Sequence, residues 1–279
     1  MVSVSTIVCC VITLLICLFL PVLALLLFAN KYKKQGILSA WLLGAAGFFV
    51  TQILIRVPIL TALQNQPWFL SFFQNHLFLY AFSLAFTAGL FELAGRFAVA
   101  KLMHRCLTYK RSLAAGMGHG GIEAMVLIGM TYVNNLIYII MINSGTYDML
   151  FAQVAGNELA AVQLEMIRSQ LIAAPASLFL LAGFERLLAM TAHAAMSMLV
   201  CYGVAHKKAL PCALICLGIH TFIDLTAGIS QLAGSLLSQT TVYVLIYAIL
   251  VLVAVASLFI IYQLRRRWNN QEVSHDFKV

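Results

Sequence analysis

Charge is what this sequence has least of: of 279 residues only 9% are Asp, Glu, Lys or Arg, while 63% are hydrophobic. A water-soluble globule of this length needs far more polar surface, so the main solvent of the chain is lipid. Acidic residues are scarcest, nine against seventeen basic, which gives a formal net charge of +8. A nucleic-acid-binding surface would cluster basic residues on a soluble face, with aromatics between them. Here they sit in short groups between apolar runs, and no nucleic-acid partner is expected. The seven cysteines (Cys9, Cys10, Cys17, Cys106, Cys201, Cys212 and Cys216) lie mostly within those runs, without the polar loops of a secreted disulfide framework, and read as small apolar fillers. Also missing are a basic region ahead of the first apolar run, a Gly/Ser-rich linker, a low-complexity stretch and an obvious internal repeat. The first run is therefore expected to be retained as a span. Residues 1–263 are expected to form a single transmembrane domain, and 264–279 a basic cytoplasmic tail.

What is present is a series of apolar runs. A helix needs roughly 20 apolar residues to cross about 30 Å of hydrocarbon. Runs of that size occupy about 5–29, 36–61, 69–100, 112–142, 172–204, 209–230 and 239–263. The expected fold is all-α, a polytopic transmembrane bundle of about seven spans in a cell membrane. Lys31, Lys33 and Lys34 fall after the first run, and Lys101, Arg105, Lys110 and Arg111 after the third. Lys207 and Lys208 follow the fifth, and Arg265, Arg266, Arg267 and Lys278 follow the seventh. Thirteen of the seventeen basic residues thus lie on one side of an alternating path, which the positive-inside rule makes cytoplasmic, with the N-terminus outside. The longest outer segment, about 143–171, carries Asp148, Glu158 and Glu165 and is expected to include an interfacial helix.

Ionisable residues inside spans cost a few kcal/mol or more, so each should face the protein interior and find a partner. They are Arg56 on the second span, Glu92 and Arg96 on the third, His119 and Glu123 on the fourth, Glu185, Arg186 and His193 on the fifth, and His220 and Asp224 on the sixth. Residues four apart on a helix lie nearly above one another. Glu92/Arg96 in FELAGR, His119/Glu123 in GHGGIEA and His220/Asp224 in HTFID all have that spacing, and Arg186 and His193 share a face at seven. Four helices therefore present polar stripes, expected to line one cavity reached from the cytoplasmic half. Plain alternatives stand beside this: Glu92 and Arg96 could merely neutralise each other, and the glycines around His119 suit close helix packing. Imidazoles and carboxylates from several helices suit zinc, and a further carboxylate can act as base for hydrolysis. HExxH is absent, so a metal site must be assembled across helices.

Taken in order, FELAGR, GHGGIEA, ER followed by His193, and HTFID resemble the YhfC-type membrane proteins over about residues 85–228. That group is allied to the CPBP and PrsW-like intramembrane metalloproteases, the clan of the type II CAAX prenyl endopeptidase. The resemblance implies a metal-dependent endopeptidase in which Glu92 activates water and Arg96 orients or balances it. Glu92 stands alone where the clan usually has two adjacent glutamates. Candidate metal ligands are His119, Glu123, His193, His220 and Asp224, with His119 and Glu123 as alternatives for the second motif. Glu185 and Arg186 are expected to support the site, and the partners to be membrane lipid and a peptide or membrane-protein substrate. A proton-coupled transporter or an inactive scaffold of the same fold are the competing readings.

Overall fold

The structure, a computed structural model, describes residues 1–233 and 237–276, with the side chains of 230–233 and 269–276 excepted. Lys278 and the side chain of His275, both in the expected tail, lie outside the described residues. Among the described residues every regular element is a helix. In chain order they are α1 (Val4–Lys31), α2 (Ile37–Gln64), α3 (Pro67–Asn75), α4 (Leu77–Leu102), α5 (Tyr109–Ser144), α6 (Met149–Gln153), α7 (Glu158–Ala173), α8 (Ala176–Ala205), α9 (Ala209–Ala233) and α10 (Gln239–Asp276). Seven of them, α1, α2, α4, α5, α8, α9 and α10, are long and apolar enough to cross a membrane. In hydrocarbon every backbone N–H and C=O must be satisfied within its own segment, which is why apolar runs of this length become helices. Their outward residues, Leu27, Leu54, Leu79, Leu252 and Phe259 among them, are exposed aliphatic or aromatic groups, as lipid contact requires.

One boundary differs clearly from the sequence expectation. The third run, expected from about 69, is interrupted at His76, whose backbone (φ −137°, ψ 53°) leaves the helical region, so 67–75 forms the separate helix α3. Asn75 donates its side-chain amide to the Ser71 carbonyl (2.9 Å), a local bond that competes with helix continuation. The outer segment 143–171 contains α6 and most of α7, linked by Arg168 to Asp148 (2.8 Å) and by the Tyr147 hydroxyl to the Leu164 carbonyl (2.9 Å).

The chain divides into two compact units whose boundaries fall inside α1, α5 and α8. One comprises Met1–Leu23 and Ala124–Leu187. Its core joins Cys10, Tyr132, Ile139, Leu171 and Phe179. The Phe179 carbonyl there accepts from both Thr13 Oγ1 (2.7 Å) and the Tyr132 hydroxyl (2.9 Å). The other unit comprises Ala24–Glu123 and Leu188–Val279, in which α2 packs chiefly on α5 and α4 on α9. All seven cysteines are free thiols, as expected of fillers.

Apolar surface does not drive helices together in lipid, so the α2–α5 contact relies on close backbone approach. A Cβ built on Gly44 would lie 1.8 Å from the Ala115 carbonyl oxygen, and one on Gly118 would lie 2.0 Å from that of Trp41. Neither backbone atom can swing aside. Gly118→Ala must separate α2 from α5 and should cost about 1–3 kcal/mol or more. In a thermal melt of the detergent-solubilised protein the midpoint should fall by roughly 3–10 °C. Gly218→Ala, where nothing lies within 4 Å of the added methyl, should not lower it. Equal midpoints for the two variants would contradict this account of the packing.

Candidate metal centre

The site is built around one carboxylate. Glu92 sits on α4 with 4% of its surface exposed, and four side chains from four helices reach its two oxygens. Oε2 meets Nε2 of His220 at 2.7 Å, Nε2 of His119 at 2.9 Å and Nη2 of Arg96 at 3.0 Å. Oε1 accepts from Nε2 of Gln52 at 2.8 Å. Arg96 stands one turn further along α4 and spans to His193, donating from Nη2 to Nδ1 at 2.6 Å. With its Nδ1 lone pair engaged, a neutral His193 carries its proton on Nε2. That nitrogen lies 2.8 Å from Oε2 of Glu123, the natural acceptor.

The rings pack on one another. His119 stacks on His193 with centroids 5.4 Å apart, His193 meets His220 edge to face at 5.6 Å, and Phe48 stands edge-on to His119 at 5.3 Å. Close backbone approach permits this, since a Cβ on Gly120 would lie 2.9 Å from that of His193. Behind His220, its Nδ1 faces Oδ2 of Asp224 at 3.4 Å.

Two stretches of wider, π-type helix flank the cluster. One, Phe49–Arg56 in α2, carries Gln52 and Arg56; the other, Ala124–Gly129 in α5, begins directly after Glu123. Such insertions shift the register by one residue and often occur at functional sites. Gln52 is the residue that attention to charge alone overlooks. Its signal was available, because it precedes Arg56 by the same four-residue step as the other stripes. Arg56 donates to the Gln52 Oε1 (3.3 Å), the Leu84 carbonyl (2.7 Å) and Thr87 Oγ1 (3.4 Å).

Of the residues singled out in the sequence, the structure brings together Glu92, Arg96, His119, Glu123, His193 and His220, with Asp224 against His220. Glu185 and Arg186 belong to the other compact unit, where they pair with each other. One ligand atom from each of Glu92, His119, Glu123 and His193 lies within 4.8 Å of all the others. Donors bound to one ion at about 2.0–2.2 Å can be no further than ~4.4 Å apart, so slight contraction would let this set share a cation. The charge balance points the same way. Two carboxylates face one guanidinium in a pocket closed to water, and such a place does not hold a surplus negative charge without a cation or a protonated imidazole. A carboxylate behind a histidine is also a frequent feature of metal centres, since it fixes which ring nitrogen is left to bind.

A profile of the family described as YhfC intramembrane metalloprotease matches residues 16–248, a range that includes every member of the cluster. A protein of Bacillus subtilis (strain 168) described as uncharacterized membrane protein YhfC is 31% identical over 196 residues, covering 70% of this chain and 74% of the relative. No solved structure matches significantly.

Gln52→Leu removes the donor to Glu92 Oε1 and an acceptor for Arg56 while conserving bulk. Leaving a buried carboxylate oxygen unpaired should cost about 1–3 kcal/mol. A matched lowering of the thermal midpoint is expected, whereas the exposed Gln64→Leu should melt with the parent protein.

Proposed function

The chain belongs to the YhfC intramembrane metalloprotease family, and from that membership and the buried cluster together we propose that it is a metal-dependent endopeptidase cutting a peptide within or beside the membrane. One observation carries the reading: imidazoles from three helices and carboxylates from two converge where neither water nor lipid neutralises them. The seven candidate spans give a multi-pass membrane location, and the family relative is described as a membrane protein. The proposed topology has the N-terminus outside and the basic ends of α1, α4, α8 and α10 in the cytoplasm.

His119, Glu123 and His193, three of the four close-set groups, together with His220 from outside that set, are the proposed ligands, and zinc the proposed ion; Glu92, the fourth close-set group, is kept as base. When bound, zinc supplies a Lewis acid that polarises the scissile carbonyl and makes water easier to deprotonate. Asp224 is assigned to orienting His220: without an ion Nε2 serves Glu92 as a donor, and with one bound a proton on Nδ1 facing the Asp224 carboxylate would leave the Nε2 lone pair for the ion. His193 can join the ion through Nε2 only if Arg96 releases Nδ1, which then takes the proton from Nε2.

Glu92 is the proposed base. It takes a proton from water as the water oxygen bonds to the carbonyl carbon, and returns it to the departing amine as the C–N bond breaks. Gln52 anchors Oε1, and Oε2 would be free to take the proton once His119 and His220 turn their Nε2 atoms to the ion. Arg96, held 3.0 Å from Oε2, balances the carboxylate. Glu185 and Arg186 remain proposed supporting residues, through their mutual ion pair.

Glu92→Gln in purified protein should retain bound metal yet cleave a membrane-peptide library at least about 100-fold more slowly, the usual scale for losing a general base. The double variant His119→Ala/His220→Ala should lose the metal, read by elemental analysis after gel filtration. Cleavage by Glu92→Gln at the parental rate would refute the assignment.

A further inference from the structure

A second feature of the same unit adjoins the cluster without being part of it. A cavity of about 270 Å³ is lined by Phe73, Leu77, Tyr80, Leu84 and three alanines of α4, with Arg56 and Asp224 as its charged members. Both charged residues connect directly to the proposed base. Arg56 donates to Gln52 Oε1 (3.3 Å) and Gln52 to Glu92 Oε1 (2.8 Å). Asp224 faces His220 Nδ1 (3.4 Å), whose Nε2 meets Glu92 Oε2 (2.7 Å). The cavity is therefore one side chain removed from the carboxylate along two separate chains.

Its position runs counter to the sequence expectation of an approach from the basic helix ends. On α4 the lining lies between Leu77 and Ala88, ahead of Glu92, whereas Lys101 comes after it. On α9 Asp224 and Gly228 come after His220, whereas Lys208 precedes it. Space exists because Ala81, Ala85 and Ala88 put only methyl groups on this stripe of α4, and because Gly228 sits opposite, where an added Cβ would be 3.2 Å from that of Ala81.

The lining identifies the occupant. A cavity of ~150 Å³ accepts a benzene ring, so this volume takes one large side chain together with the peptide group that bears it. The walls are apolar apart from one cation and one anion, a combination that suits neither a lone anion nor a lone cation. It does suit a backbone peptide group, which in hydrocarbon needs both a donor for its carbonyl and an acceptor for its N–H. A helix must unwind before its peptide bond can be attacked, and unwinding exposes those groups. Arg56 has N–H groups to donate, with its Nε left unpartnered. Asp224, whose side chain is 37% exposed, offers the carboxylate oxygen not turned to His220.

We propose that this cavity is a substrate subsite: it receives a leucine- or phenylalanine-sized apolar side chain next to the scissile bond, while Arg56 and Asp224 satisfy the unwound backbone beside it. The assignment rests on the peptidase reading above, and its test is chosen to separate the two. The full-length protein in lipid nanodiscs is irradiated with acetyl-Ala-Ala-photoleucine-Ala-Ala-amide, and the crosslink is mapped by mass spectrometry. Label is expected between Phe73 and Ala88. Acetyl-Ala-Ala-Leu-Ala-Ala-amide should compete at least about five-fold better than the all-alanine pentapeptide. Ala85→Phe, which fills the cavity, should lower the label by a similar factor. In case that variant misfolds, Leu84→Ala enlarges the space and should shift competition in favour of the phenylalanine pentapeptide. Label elsewhere, or label and competition indifferent to both variants, overturns the subsite. Crosslinking needs no bond cleavage, so specific labelling without hydrolysis of any peptide would reject the peptidase reading and keep the binding site. Glu92-dependent cleavage indifferent to side-chain size and to both variants would do the opposite.

Discussion

The arrangement of this unit follows from the need to satisfy one carboxylate placed where there is no water. Glu92 could be tolerated on a membrane-spanning helix only with donors at both oxygens, and a single helix cannot supply them. Its own helix provides Arg96; α2 provides Gln52, α5 provides His119 and α9 provides His220. Each of these helices is thereby fixed in rotation as well as position, because a turn of one residue would carry the donor away from the oxygen it serves. His193 of α8 is drawn in at one remove, by Arg96 on one ring nitrogen and Glu123 on the other.

Meeting at one point requires backbones to come closer than side chains normally allow. Gly44 and Gly118 each lie where the other helix's carbonyl leaves no room for a methyl group, and Gly118 immediately precedes His119. The π-type stretches serve the same end by another route. In α2 the wider turn carries both Gln52 and Arg56, and in α5 it begins at the residue after Glu123. Close approach puts the helices within reach of one another, and the altered winding sets which residues turn inward.

Much of this was legible in the sequence, because polar groups in apolar runs are expensive enough to be informative singly. The four-residue spacing in FELAGR, GHGGIEA and HTFID placed Glu92, His119 and His220 on inward stripes, and those are the residues that meet. How the helices are placed against one another, which no local pattern encodes, is what brings their side chains together. The break at His76 was hidden because the residues on both sides of it are equally apolar. Gln52 was overlooked because an uncharged amide in a span costs less than a charge and so draws less attention. Glu185 and Arg186 pair with each other, a contact that their adjacency in the sequence already allows.

The two chains that end on Glu92 also bear on how a buried site exchanges with its substrate. On α2 and on α9 the group touching Glu92 is followed four residues later by a charge, Arg56 behind Gln52 and Asp224 behind His220. On α4 the matching positions, counted back from Glu92, hold Ala88, Ala85 and Ala81. Had α4 carried polar or bulky residues there, the charges could have closed onto them and sealed the cluster. Small residues on one helix facing charges on two others instead leave a space whose polar groups already connect to the carboxylate. The same four-residue repeat that makes the site affordable in lipid thus also gives it a side from which a peptide can be approached.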